Sequence, residues 1–131
     1  MDLAQKIMAD EPVDVSMGYV NVIWQRDAND YVARAITLAS TPASILNVAG
    51  PETLSVRSLA ELLGRRLGKE PLIAGTEAPT ALLSSAARCF AECGYPRMPL
   101  LAMVDAILDW LSRGMPLLGK ATKFQVRDGH F

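Results

Sequence analysis

The residues best suited to chemistry stand together in the stretch NVIWQRDAN, which begins at residue 21. In this stretch a Trp, a Gln and an Arg follow a strand-like apolar run, and Asp27 then precedes a helical pattern. A carboxylate just before a helix can accept hydrogen bonds from the unpaired amide groups of the first turn. We therefore predict that Asp27 is the N-cap of the helix that follows.

Few other residues point to catalysis. The sequence has neither a glycine-rich GxGxxG turn nor a P-loop nor a GxSxG elbow, and no tyrosine has a lysine four positions later. Cys89 and Cys93 share one helical face without a histidine or a further cysteine nearby, and the single histidine, His130, is next to last. The residues of this chain therefore predict no catalytic group, no cofactor-binding residue and no metal ligand.

The composition predicts one domain and excludes two classes of partner. The 131 residues are 50% hydrophobic and 21% charged, which is enough apolar material for a single core. The 13 Lys and Arg against 14 Asp and Glu leave a net charge of −1, unsuited to a nucleic acid. No apolar run approaches the ~18 residues of a membrane span. The first residues carry acidic side chains where a signal peptide would carry basic ones. We expect one cytoplasmic domain over residues 1–131.

The apolar spacing predicts alternating helices and strands. Helices are predicted over residues 2–10, 28–40, 56–67, 84 or 85 to 94, and 100–113, and strands over residues 20–24, 44–50 and 71–75. Ser55 is predicted to cap the third helix and Gly68 to end it. The tail, residues 115–131, alternates as an edge strand or a packed extended arm would. Together these elements predict a mixed α/β, or α+β, fold.

The order and spacing of these segments resemble the C-terminal part of extended short-chain dehydrogenases, the NAD-dependent epimerase/dehydratase superfamily. The resemblance covers residues 2–113, and its most specific segment is NVAGPETLSVRSLAELLGRRLGKEP, residues 47–71. Further matching segments are VARAI in the second helix and LLSSAARCFAECGYP before the last one. The resemblance implies a substrate-binding lobe without its Rossmann nucleotide-binding lobe.

In that superfamily, the segment matching VNVIWQRDAN returns from the substrate lobe toward the nucleotide-binding sheet. The resemblance therefore implies a substrate-binding role, at the seam between two lobes, for Asn21, Trp24, Gln25 and Arg26. Trp24 has the alternative role of a core or interface aromatic, and Arg26 that of a surface residue. Family members take their glycine-rich turn and their catalytic Tyr and Lys from the N-terminal portion. The chain alone is therefore expected to be inactive, and the full-length enzyme is expected to bind NAD or NADP.

Two departures from the family argue against a nucleotide-sugar substrate. Where the nucleotide-sugar branch has an RDY or RDF triplet, this sequence has Val20, Asn21 and Val22, and it has GTEAPT with Glu77 in place of an RPGD-like stretch. An apolar residue and a carboxylate cannot replace two guanidinium groups at a diphosphate. We therefore predict a small carbonyl or hydroxyl compound as the substrate of an epimerase, dehydratase or reductase.

A different class of function is a stand-alone protein-interaction or oligomerisation module. A substrate lobe without its partner would expose an apolar seam, and a second copy or another protein could bind there. DNA binding is disfavoured, because the Leu-rich helix SVRSLAELLGRRLG is not followed by a second helix after a short turn. The charge balance also provides no basic face for a phosphate backbone.

Overall fold

A computed structural model describes residues 1–119, 122 and 126 of the chain. Within them the backbone forms five α-helices: α1 Asp2–Met8, α2 Gln25–Ala35, α3 Val56–Leu67, α4 Ala87–Cys93 and α5 Leu100–Ser112. A 3-10 turn, Ile36–Leu38, continues α2. Four short strands are β1 Val13–Asp14, β2 Tyr19–Val20, β3 Leu54–Ser55 and β4 Ile73–Ala74. The predicted mixed α/β fold is confirmed, and each predicted helix has a counterpart.

The four strands pair in two separate ladders. β1 runs parallel to β4, with Val13 opposite Ile73, and β2 runs antiparallel to β3, with Tyr19 opposite Ser55. β4 confirms the strand predicted over residues 71–75. No apolar periodicity marks β1, because a strand of two residues is too short to show any.

Two predicted strands are corrected by the structure. The strand predicted over residues 20–24 is reduced to β2, and residues 21–24 leave the ladder with the Val22 backbone directly against Gly50. Residues 44–50 belong to no ladder, so the strand predicted there is wrong. Their side chains do alternate, since Leu46 and Val48 pack inward while Ile45 is 83% exposed. A strand also needs a neighbour, and none of the described strands lies beside this segment.

The helix α3 follows the predictions made for it. The Ser55 hydroxyl accepts a hydrogen bond from the Ser58 amide at 3.2 Å, and Gly68 ends the helix with φ +65. The buried face of α3 contains Val56, Ala60 and Leu63, at the spacing of a helix stripe. This face packs in the larger core cluster with apolar residues of α1, β1 and α5.

The helix α2 begins at Gln25, three residues before its predicted start, with Trp24 as the N-cap. The prediction that Asp27 caps this helix is therefore wrong. Asp27 lies within the first turn, is 8% exposed, and accepts a hydrogen bond from the Met98 amide at 2.9 Å. The earlier start turns its carboxylate toward the neighbouring loop, although the charge still lies near the positive end of the helix dipole.

The second core cluster joins α2, residues 44–50 and α4, and contains Tyr31, Ala49, Ala86 and Cys89. It is the cluster on which the candidate site rests. The predicted tail strand lies largely outside the described residues, of which residues 115–119 form no strand. None of the helices in the described part of the chain has the length and apolar character needed to cross a membrane.

Candidate functional site

An open groove of about 740 Å³ lies between the segment that carries Asn21, the loop after Gly50 and the start of α4. The side chains in its lining that can form hydrogen bonds are those of Asn21, Thr53, Ser84, Ser85 and Tyr95. Its other lining residues are glycine, alanine, proline, leucine and phenylalanine. The described residues of this lining thus carry no carboxylate, ammonium or guanidinium group.

The Asn21 side chain connects two walls of the groove. Its amide nitrogen donates to the Glu52 carbonyl at 3.0 Å, and its amide oxygen accepts from the Ser84 amide at 3.0 Å. An Asn side chain has two donor hydrogens and two acceptor lone pairs, so one of each is left after these contacts. Asn21 therefore holds the groove in shape and keeps one donor and one acceptor for a ligand.

A smaller cavity of about 80 Å³ adjoins the groove, and the two share Pro51 and Tyr95. Trp24 lines this cavity together with Met98 and Met103. The indole is half-buried at the start of α2, where the cavity lining is mostly apolar and contains one carboxylate residue, Glu52. This surrounding suits an interface aromatic or a contact with an apolar part of a ligand.

Gln25 and Arg26 lie apart from both cavities. Each is exposed in the first turn of α2, and the Gln25 amide donates to the Asn29 side chain at 2.9 Å. Neither residue lines the groove or the smaller cavity. The structure therefore brings Asn21 and Trp24 to adjoining cavities and places Gln25 and Arg26 on the surface, and substrate binding by all four stays a prediction.

An aromatic pair at the groove went unnoticed in the sequence. The rings of Phe90 and Tyr95 are stacked, with centroids 4.9 Å apart and an interplanar angle of 22°. Both rings line the groove, and Tyr95 is 73% exposed. The available signal was the segment FAECGYP, in which a glycine and a proline end α4 and turn a second aromatic back toward the first.

The helix α2 holds the loop that carries Tyr95. The Tyr31 hydroxyl donates to the Gly94 carbonyl at 2.8 Å, and the Asp27 carboxylate accepts from the Met98 amide at 2.9 Å. Burial, followed by the nearby Cys89 and Asp27, raises the pKa of Tyr31, so the phenol stays protonated as this hydrogen bond requires. The loop of residues 94–98 is thus fastened at both ends.

Cys89 provides no reactive thiolate, and neither cysteine lines the groove. Cys89 is fully buried in the second core cluster, and burial together with the neighbouring Cys93 raises the pKa of its thiol. A buried thiol with a raised pKa stays protonated and behaves as a small apolar residue. Within the described part of the chain, no three His, Cys, Asp or Glu side chains are placed to hold a metal ion.

Glu77 is engaged in an ion pair with Arg57. Its two carboxylate oxygens accept from Arg57, at 2.6 Å from Nε and 3.1 Å from Nη2. The hydrogen bonds to Arg57 lower the pKa of Glu77, and the same contact raises the pKa of Arg57. The Arg57 guanidinium is therefore already neutralised by a carboxylate.

This ion pair predicts a particular acid sensitivity. Because the folded-state pKa of Glu77 is lowered, its stabilising contribution is present above the unfolded glutamate pKa, about 4.3, and is lost as the pH falls through the folded value. We expect Glu77→Gln to lower the urea midpoint at pH 7 and to make the loss between pH 5 and pH 3 smaller. The exposed pair of Arg34 and Asp30 supplies the control Asp30→Asn. An unchanged acid response in Glu77→Gln would contradict the assignment.

The fold has counterparts among solved structures that contain nicotinamide dinucleotides. UDP-glucuronic acid 4-epimerase from Bacillus cereus, in complex with NAD, matches with a TM-score of 0.67 at 15% identity, over 87% of this chain and 39% of its own. The enzyme WbmG from Bordetella bronchiseptica, in complex with NAD, matches at 0.65 and 14%, over 86% and 37%. RMD from Pseudomonas aeruginosa, complexed with NADPH, matches at 0.63 and 22%, over 86% and 40%.

These matches define the class of fold. The chain is a mixed α/β unit of the kind found within these epimerase-like structures, and it spans about 40% of the length of the chains it matches. The resemblance inferred from the sequence is thus confirmed at the level of the fold. No family model and no curated protein matches the sequence. Identities of 14–22% support a similarity of fold only, so the ligands of these neighbours are properties of the neighbours.

Proposed function

We propose that this chain is the C-terminal, substrate-binding lobe of an NAD(P)-dependent epimerase, dehydratase or reductase. The observation that carries the proposal is the uncharged groove at Asn21, set in a fold that matches part of NAD- and NADPH-bound structures. In this proposal a nucleotide-binding lobe holds the cofactor and contributes the proton-transferring Tyr and Lys. This chain binds and orients the substrate and is inactive alone.

The proposed partner lobe has a surface to cover. Residues 44–50 alternate like a strand but have no described neighbour in a ladder, and Ile45 at their edge is 83% exposed. The outer face of α2 and of the turn that continues it also shows apolar side chains, with Val32 62% and Ile36 76% exposed. An unpaired edge and exposed apolar side chains are features that a further sheet or helix normally covers.

The groove favours a small neutral substrate over a nucleotide sugar. Cationic side chains are the groups that bind a diphosphate most strongly, and the side chains of the described groove lining offer hydroxyls and one amide instead. In the segment GTEAPT, which stands where the resemblance would have an RPGD-like stretch, Glu77 is a carboxylate that already neutralises Arg57. A neutral carbonyl or hydroxyl compound can form hydrogen bonds in the groove without having to remove a charged group from water.

Co-expression with a separate nucleotide-binding lobe tests the proposal. The purified complex should bind NAD or NADP and interconvert carbonyl and hydroxyl compounds, whereas the chain alone should give no calorimetric heat with either dinucleotide. The variant Ile45→Glu should prevent association, since it places a charge on the unpaired edge. The matched control is Leu118→Glu, at a site that is 99% exposed and outside this edge.

Two outcomes would overturn the proposal. Micromolar binding of a dinucleotide by the chain alone would show that the cofactor site lies here. A stable assembly of several copies of this chain, unaffected by the nucleotide-binding lobe and disrupted by Ile45→Glu, would favour the oligomerisation module instead. A mass measurement by light scattering separates a monomer, a homo-oligomer and the mixed complex.

A further inference from the structure

Tyr95 presents an open aromatic surface at the groove. One neighbour, Phe90, stacks on it with a centroid distance of 4.9 Å, yet 73% of Tyr95 remains exposed. Stacking on Phe90 uses one face of the ring, so the high exposure leaves the rest of the ring for a ligand. Aromatic rings favour offset-stacked contacts at such distances.

The exposed ring of Tyr95, which we call the aromatic platform, stands on a loop that is ordered before a ligand binds. Hydrogen bonds from Tyr31 to the Gly94 carbonyl and from the Met98 amide to Asp27 fasten residues 94–98 on either side of Tyr95. A binding surface that is already ordered loses little conformational freedom when a ligand binds. The backbone on both sides of Tyr95 is therefore held in place by α2.

The remaining lining can bind polar groups without charge. Thr53, Ser84 and Ser85 bring hydroxyl groups to the groove, and Asn21 keeps one amide hydrogen after its two contacts with the walls. An ionised ligand would lose hydration and gain no countercharge from the described lining. A neutral ligand with a carbonyl or hydroxyl group would replace its lost water contacts.

We propose that the groove selects a neutral compound with a planar aromatic or conjugated ring, which stacks on Tyr95 and bonds through its carbonyl or hydroxyl group to the opposite wall. This inference rests on the proposed function and narrows its substrate class. It makes Tyr95 a determinant of specificity, because a saturated ring of equal size has no π face and makes weaker contacts with the tyrosine ring. It also makes the absence of charge in the lining a second determinant.

Three probes of similar size test the proposal on the chain itself by NMR titration. Acetophenone is planar and neutral, cyclohexyl methyl ketone is neutral and saturated, and benzoate is planar and anionic. Acetophenone should give saturable shifts at Tyr95, Phe90 and Ser84. We expect cyclohexyl methyl ketone to bind about two- to tenfold more weakly because it lacks aromatic stacking. Benzoate should bind at least about tenfold more weakly because the lining offers no countercharge.

Two variants locate the effect at the aromatic platform. Tyr95→Phe keeps the ring and should bind acetophenone as the wild type does. Tyr95→Ala should lose at least about tenfold in affinity. Because this side chain is largely exposed, Tyr95→Ala should remain folded, and its amide spectrum should show this. Equal affinity for the three probes, undiminished binding by Tyr95→Ala, or no acetophenone binding up to its solubility would each overturn the proposal.

The outcome is separable from that of the proposed function. If the complex with a nucleotide-binding lobe turns over saturated ketones but acetophenone does not bind in the groove, the proposed ring preference is wrong and the proposed function stands. If acetophenone binds at Tyr95 but no nucleotide-binding lobe associates with the chain, the groove is a binding site and the proposed function fails.

Discussion

Gly50→Ala should lower the free energy of unfolding by about 3 kcal/mol or more, which is the upper part of the cost of overpacking a core. A Cβ atom at this position would lie 1.7 Å from the Val22 carbonyl oxygen and 2.7 Å from the Val22 carbonyl carbon. Both are backbone atoms, so no change of rotamer can move them aside. The two crossing segments would have to separate, and Asn21 would move with its neighbour.

A matched glycine distinguishes this clash from a general effect of alanine. Gly114, just after α5, has φ +62 and open space around the position of a Cβ atom. Gly114→Ala should therefore cost only the strain of a left-handed backbone, about 1 to 2 kcal/mol. Urea unfolding followed by circular dichroism gives both values. Equal midpoints for the two variants would show that the segments around Gly50 are less tightly crossed than the structure indicates.

Local signals were sufficient to predict that each helix exists and, for α3 and α5, where it begins and ends within one residue. In α3 the serine at the start and the glycine at the end lie within 14 residues of sequence, and each is found where predicted. The same holds for α5, whose observed range, Leu100–Ser112, is one residue short of its predicted end. Helices close their hydrogen bonds within the segment, so their signals are contained in it.

Strands and long-range contacts were not predictable in the same way. Residues 44–50 have a strand-like alternation, but the ladder they lack depends on a neighbour that the pattern cannot reveal. The partner of Asp27 is 71 residues away, so its sequence position before a helical pattern suggested a cap instead. Tyr95 went unnoticed for the same reason, because its place at the groove depends on α2 and α4 together.

The candidate site was accordingly predicted in part. The resemblance to a known family pointed to the stretch from Asn21 to Arg26, and the structure brings its first members to the cavities. Gln25 and Arg26 lie in the first turn of α2 and do not line either cavity, since α2 begins earlier than the sequence indicated. Because residues 25–27 are helical instead of extended, their side chains point in directions other than the sequence pattern indicated. The position of a helix start therefore decides the membership of this site.

The second large effect is expected at Asp27, whose carboxylate connects α2 to the loop below Tyr95. Asp27→Ala should lower the free energy of unfolding by about 1.5 to 3 kcal/mol, the range for a hydrogen bond to a charged group. Asp27→Asn should cost less, because an amide oxygen can still accept from Met98. The exposed control Asp30→Ala, which removes only an ion pair with Arg34, should cost about 0.3 to 0.5 kcal/mol.

Amide hydrogen exchange distinguishes a loop contact from a helix cap at Asp27. Loss of the contact seen here should speed exchange at Met98, whereas loss of a cap should speed exchange at Asn29 and Asp30. Because the same loop carries Tyr95, Asp27→Ala should also weaken acetophenone binding while Asp30→Ala leaves it unchanged. Protected exchange at Met98 in Asp27→Ala, with faster exchange at the start of α2, would restore the cap and detach Asp27 from the groove.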